Sequence, residues 1–158
     1  MALSADKLRN SRGAPYQNRL AVATGSTIYV GSLAVRRSTT GRALAATAAT
    51  GRRIEGVVVR LDGPNGPGAG TGIGNTGGTQ YAIIEYGNEH LVTVATAIRT
   101  NTSLGLNVFI SDDDKVAGTA VGTAAKRLPV GELVAYEASD KSTGWVAIRR
   151  FATTNIAV

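Results

Sequence analysis

The stretch EHLVTVATAIRTNTSLGLNVFISDDDK, residues 89–115, decides the fold class. Two apolar runs, 91–98 and 104–110, flank a polar break at 99–103. Val92, Val94, Val108 and Ile110 recur at period two, and branched side chains at that spacing fit a pleated, half-buried surface better than a helix. The second run ends in Ser111, Asp112, Asp113, Asp114 and Lys115, whose short polar side chains hydrogen-bond nearby backbone and favour a tight turn. Val116, Ala117 and Gly118 then start back. The pattern predicts a β-hairpin.

Outward from this stretch the same signals repeat. Strand-like runs cover 27–29 into 33–35, 54–61, 80–86, 126–136 and 145–151, with turns at 38–41 and 139–144. In the last run Trp145, Ala147 and Arg149 alternate with Val146, Ile148 and Arg150, so one face reads as buried and the other as basic. The alanine-rich segment 43–50 is compatible with helix, strand or loop. Residues 62–79 hold eight glycines and two prolines in 18 positions, which predicts a long hairpin-tip loop. That loop contains G-x-G-x-x-G (Gly72, Gly74, Gly77), but a strand pattern follows it where a dinucleotide site needs a helix N-terminus. Thr47, Ala48 and Ala49 with Arg52, Arg53 and Gly56 echo Thr123, Ala124 and Ala125 with Lys126, Arg127 and Gly131, hinting at two related β halves about 75 residues apart. About nine short strands joined by turns predict an all-β fold, a small β-barrel or β-sandwich.

Composition agrees. At 158 residues and 43% apolar content the chain suits one packed domain. Twenty glycines against one Trp and two Phe favour short strands over long helices. With no cysteine, disulfides and thiolate chemistry are excluded. No apolar run approaches the roughly 18 residues of a membrane helix, and residues 1–7 lack the apolar core of a secretory signal, so synthesis in a cytoplasm is expected. The net charge of +6 is uneven: residues 1–60 carry ten Lys/Arg against Asp6 and Glu55. A basic half suits nucleic acid or an acidic protein surface equally. Residues 1–20 show no strand alternation and few core-type residues. They read as an extended N-terminal arm before a single β domain, 21–158, with Lys7, Arg9, Arg12, Tyr16 and Arg19 as candidate partner-binding residues.

Catalysis has little to work with. His90 is the only histidine, expected at a strand edge, and no acid–base pair is visible, so neither enzyme activity nor cofactor nor metal is expected. Asp112, Asp113 and Asp114 lack the ligand spacing of a calcium loop and read as a solvated turn. The doublets Arg36-Arg37, Arg52-Arg53, Lys126-Arg127 and Arg149-Arg150 cannot bury both members, because successive strand residues point to opposite faces. Aromatics for base stacking are scarce outside the apolar runs, which disfavours nucleic acid.

The central segment also carries a resemblance. Gly105, Val108, Phe109, Ile110, Ser111, Asp112 and Asp113, then Val130, Gly131, Leu133 and Val134, then Trp145, Val146 and Ile148 form a pattern similar to the capsid decoration (cement) proteins of tailed bacteriophages. Residues 25–33 followed by Gly56, Val57, Val58 and Val59 resemble the opening half of such chains. The likeness spans roughly 22–60 and 83–151. It implies a virion protein on the capsid exterior that binds the major capsid protein of the expanded head, as a homotrimer, with no small-molecule substrate and no membrane. The long loop and the arginine doublets depart from that pattern. Alternatives are a head-fibre base or tail protein and, less favoured, a nucleic-acid-binding or carbohydrate-binding β module.

Overall fold

The computed structural model describes residues 11–13, 15–47, 52–63, 73–74, 80–118, 128–137 and 139–149. These form thirteen strands: β1 (Ser11–Arg12), β2 (Tyr16–Ala21), β3 (Thr27–Ile28), β4 (Leu33–Arg37), β5 (Ala43–Ala45), β6 (Arg52–Asp62), β7 (Ile73–Gly74), β8 (Tyr81–Tyr86), β9 (Glu89–Val94), β10 (Asn107–Ile110), β11 (Lys115–Ala117), β12 (Pro129–Tyr136) and β13 (Thr143–Ile148). The fold is all-β. Helical geometry among the described residues is confined to two 3-10 turns: Thr96–Ile98, which ends the first apolar run so that its strand stops at Val94, and Asn101–Ser103 in the polar break.

The expected hairpin is present. Phe109 pairs Ala117 and Ile110 pairs Val116 across β10 and β11. β11 then runs parallel to β9, with Val116 opposite Val94. β10 pairs β12, β12 pairs β13, and β13 returns to β9, so five strands close into a barrel, with β1 added at the free part of β9.

The N-terminal half repeats this plan strand for strand. β2 pairs β8, β8 pairs β6, β6 pairs β4 and β4 pairs β5. A parallel bridge between Val22 and Ala43 draws β5 back to the end of β2. That matches the β9–β11 contact in position and direction. Both register shifts recur as well: between Ala34/Val35 and between Val108/Phe109, then between Val58/Arg60 and between Leu133/Ala135. The loop into the second strand is also the same. Gly31 N–H donates to Val58 O and Gly105 N–H to Leu133 O, with φ of 86° and 79°, a conformation glycine adopts without strain. Two barrels of one topology therefore follow each other in the chain, which gives the weak 75-residue echo its structural meaning.

The barrel interiors are filled from matching positions. Leu20, Val22, Ala34, Ala43, Val58 and Ile84 pack inside the first. Val92, Val94, Val108, Val116, Leu133 and Val146 occupy the same places in the second. Burying each of these Val, Leu and Ile side chains stabilises by about 1.5–3 kcal/mol. The outward face of β4 and β6 (Leu33, Val35, Ile54 and Val57) joins the apolar cluster of the second barrel, and Leu33 N–H donates to Asp113 O. Gly56 and Gly131 mark the tightest crossings. A Cβ at either would lie 1.9 Å from the carbonyl oxygen of Glu85 or Ala147.

Several expectations need correction. The arm is shorter than 1–20, because Tyr16–Ala21 is a full strand paired along β8. YQNRLA hides its alternation because its inward residue Asn18 is polar. His90 is not at an edge but buried within β9, between β1 and β13. Asp113 is buried too, its backbone carbonyl holding β4, so the acidic turn is an inter-barrel contact and only partly solvated. The glycine-rich segment does connect the antiparallel pair β6 and β8, yet part of it is tied down, with Ile73–Gly74 paired to β3. Ala43–Ala45 resolves as strand, and residues 48–50 lie outside the described residues.

Candidate binding site

One end of the first barrel carries charge where its twin carries hydrocarbon. β4 and β6 are antiparallel with Arg36 opposite Arg53 and Arg37 opposite Arg52, so two doublets become two successive arginine–arginine rungs. Like charges directly opposite destabilise a sheet. The offset comes from Glu55, which occupies the extra position of the β6 bulge and is fully buried. Its Oε1 lies 3.1 Å from Arg36 Nε and 2.9 Å from Arg53 Nε, and Asn18 Nδ2 donates to its Oε2 at 3.4 Å. Arg52 donates to the Thr47 hydroxyl. Burial first, and then the charge of Arg37, hold the Arg52 guanidinium below its ordinary pKa. Two guanidiniums, Arg36 and Arg53, thus share one carboxylate, with Arg52 and the exposed Arg37 on the next rung.

The equivalent end of the second barrel holds Ile110, Leu128, Val130 and Ile148, all buried. By strand register these stand where Arg36, Arg53, Glu55 and Tyr86 stand in the first barrel. Beside them the buried His90 stands at the Asn18 position, so hydrocarbon replaces the arginines and the carboxylate here but not every polar group. Replacing a buried ion cluster by well-packed apolar residues is commonly neutral or stabilising. We therefore expect the charges to be dispensable for architecture.

Beside the arginines, Tyr16 stacks on Tyr86 with ring centroids 5.7 Å apart, and Tyr16 is 66% exposed. Tyr16 and Asn18 share a face of β2, so the tyrosine pair rims the same end. Gln17 donates to Glu85 across the next position. Gly87 is required here, since a Cβ on it would meet the Tyr16 ring at 2.8 Å.

No family model, curated protein or solved structure matches this chain.

Of the described candidates read from sequence, Tyr16 alone sits at the arginine end. Arg12 lies over the Trp145 ring at 3.6 Å and 3.6 Å from Glu89, fixing β1 to the second barrel. Arg19 lies over the Tyr81 ring at 3.5 Å, on the outer face of the β2–β8 pair. Both cations are already engaged with rings of their own chain. Lys7 and Arg9 lie outside the described residues. The arginines of β4 and β6 were visible in sequence as doublets, but nothing in the sequence pairs Arg36 with Arg53. Strand register does.

Proposed function

We propose that this chain is a non-catalytic virion structural protein that binds the outer surface of an expanded phage head and stabilises contacts between major capsid subunits. The observation that carries the proposal is the arginine end of the first barrel, present where the twin barrel holds Ile110, Leu128 and Val130. A surplus of guanidinium around one buried carboxylate suits an acidic protein surface, which it would find quickly and hold in register. Tyr16 adds an aromatic of the kind that anchors interfaces. The resemblance carried by Gly105, Val108, Phe109, Gly131 and Trp145 supplies the class of partner. A ligand that binds only the assembled shell stabilises it by mass action, and homotrimers at three-fold positions would match the symmetry of such a shell.

The test is co-sedimentation of the full chain with purified expanded and unexpanded heads of the source phage. Saturable, salt-sensitive binding to expanded heads is expected. Failure to bind expanded heads at low salt would overturn the proposal.

A second reading has one observation in its favour: the exposed Tyr16–Tyr86 stack beside the arginines could receive an unpaired base. It predicts binding to single-stranded DNA with no capsid present and a steep loss of affinity with salt. A DNA titration at two salt concentrations separates the two.

A further inference from the structure

The internal repeat also shows which sheet edge is left open. In the first barrel, Val22 N–H donates to Gln80 O on the β8 side, and Ala23 N–H donates to Ala43 O on the opposite side. Backbone groups alternate in direction along an antiparallel strand, so those of Gln17 and Arg19 face away from β8. β9 has the same phase: Val94 N–H donates to Ser142 O beside β13, and Ala95 N–H to Val116 O on the far edge. Aligning Val22 and Ala23 with Val94 and Ala95 puts Gln17, Asn18 and Arg19 at the positions of Glu89, His90 and Leu91. In the second barrel that edge is filled, because β1 lies on it antiparallel with Ser11 opposite His90 and Arg12 opposite Glu89. In the first barrel β2 pairs β8 along its whole length, and beyond the single bridge at Val22 no described strand lies on its other side.

Gln17 and Arg19 are both exposed. Unpaired N–H and C=O groups along an edge are a template for another strand, and proteins use such edges to capture extended peptides. The flanking charges say which peptide. In the second barrel the filled edge continues into β11, which is entered from Asp112, Asp113 and Asp114. The strand laid beside it brings Arg12, 3.6 Å from Glu89. In the first barrel the matching turn, between β4 and β5, is entered from Arg37 and left at Arg42, with no carboxylate between them. Arg42 Nη1 ties that turn to β2 by donating to the Thr24 hydroxyl. Arg19 stands where the twin has Leu91, and Glu85 on β8 is already met by the Gln17 amide. The charge is thus inverted between the twins. One has a basic strand on an acidic edge; the other has a basic edge with no strand on it.

We propose that the open edge of β2 captures an extended acidic segment of a partner protein by strand addition, antiparallel as β1 lies on β9. The backbone of Gln17 and Arg19 sets the register, and Arg19, Arg37 and Arg42 supply the preference for carboxylates. The inference goes beyond the capsid reading, since it names how a segment is held whatever assembly carries it, and it uses other atoms than the buried Glu55 cluster.

The probe is a capped hexapeptide of alternating Glu and Val, titrated into the full chain and read by amide NMR and hydrogen exchange. In the free chain the Gln17 and Arg19 amides should exchange fast and those of Asn18 and Leu20 slowly. Saturating peptide should protect Gln17 and Arg19, with binding that weakens as salt is added. N-methylation of alternate peptide residues should abolish binding in one phase and spare it in the other, because only one set of peptide N–H groups faces β2. Arg19→Glu should weaken the peptide by roughly tenfold or more with an unchanged melt, and Arg37→Glu decides the matter if Arg19→Glu does not fold. No saturable binding, equal binding of a Lys–Val peptide, or indifference to both N-methylation phases would each overturn the proposal. So would protection of Gln17 and Arg19 that rises with chain concentration without peptide, which would assign the edge to a second copy. Co-sedimentation with heads is read separately: heads that bind while the peptide does not would retire strand addition alone, and the reverse would retire only the capsid partner.

Discussion

Exchanging the charged filler of the first barrel for the hydrocarbon filler of the second separates its structural role from its binding role. Two variants are needed. Glu55→Gln removes the one carboxylate and leaves Arg36 facing Arg53 across a rung, with Arg37 and Arg52 beside them. Breaking a buried pair costs about 3–5 kcal/mol. The Arg36 and Arg53 side chains are 26% and 31% exposed, so they can turn partly to water. Discounting for that, the loss should be about 2–3 kcal/mol, a fall in Tm of roughly 4–12 °C for a chain of this size. High salt should return part of it by screening the arginines. The triple change Arg36→Ile, Arg53→Leu, Glu55→Val instead installs the residues found at Ile110, Leu128 and Val130. Such replacements are neutral or stabilising by up to about 4 kcal/mol, and Asn18, which loses its acceptor, takes back about 1 kcal/mol. The triple variant should melt at or above the wild type, while losing attachment to heads. Thermal and denaturant unfolding read both. A triple variant as unstable as Glu55→Gln would refute the claim that the charges are architecturally dispensable. A Glu55→Gln protein as stable as the wild type would refute the role given to Glu55.

Other consequences are open to the same instruments. Gly56→Ala and Gly131→Ala should each cost at least about 3 kcal/mol, because the new Cβ meets carbonyl oxygen at equivalent crossings. Gly41→Ala, with a left-handed φ of 66° but open space, should cost only about 1 kcal/mol. Asp140 is held below its ordinary pKa, first by the Ser142 backbone N–H, then by the Ser142 side chain. A depressed folded-state pKa adds stability above the unfolded value that is lost as pH falls through the folded one. Asp140→Asn should therefore be slightly less stable than the wild type at neutral pH, and the difference should vanish under strongly acidic conditions.

The parts of this fold that sequence reveals are those with regular alternation and turn chemistry. Val92, Val94, Val108 and Ile110 announced their strands, and Ser111 to Lys115 announced the turn, because burial on one face and local hydrogen bonding leave direct marks on composition. β2 left no such mark. Its inward residue Asn18 is polar and donates to Glu55 across the barrel, while Tyr16 lies exposed at the rim. β5 was illegible because alanine suits helix and strand alike, and β7 is two residues long within the glycine-rich run, whereas β3 falls inside the strand-like run 27–29. The candidate site suffers from the same limitation. Arg36 and Arg53 are separate doublets in sequence, and only the bulge at Glu55 joins them around one carboxylate. The twin barrels were hinted at by Gly56 and Gly131, since the close crossing admits nothing larger, while the aligned interiors drifted between Ala, Val, Leu and Ile.

The attachment surface is tested most directly by the isotherm of the double variant Arg37→Glu, Arg52→Glu on expanded heads, beside the wild type and at two salt concentrations. These two residues lie next to the buried pair but not in contact with Glu55 in the structure, so the fold should survive the change, as an unchanged melt would verify. Docking through the arginine end predicts saturable binding for the wild type that weakens with salt, and at least a tenfold loss for the double variant, about 1.4 kcal/mol. A double variant that saturates expanded heads at the wild-type concentration would contradict it.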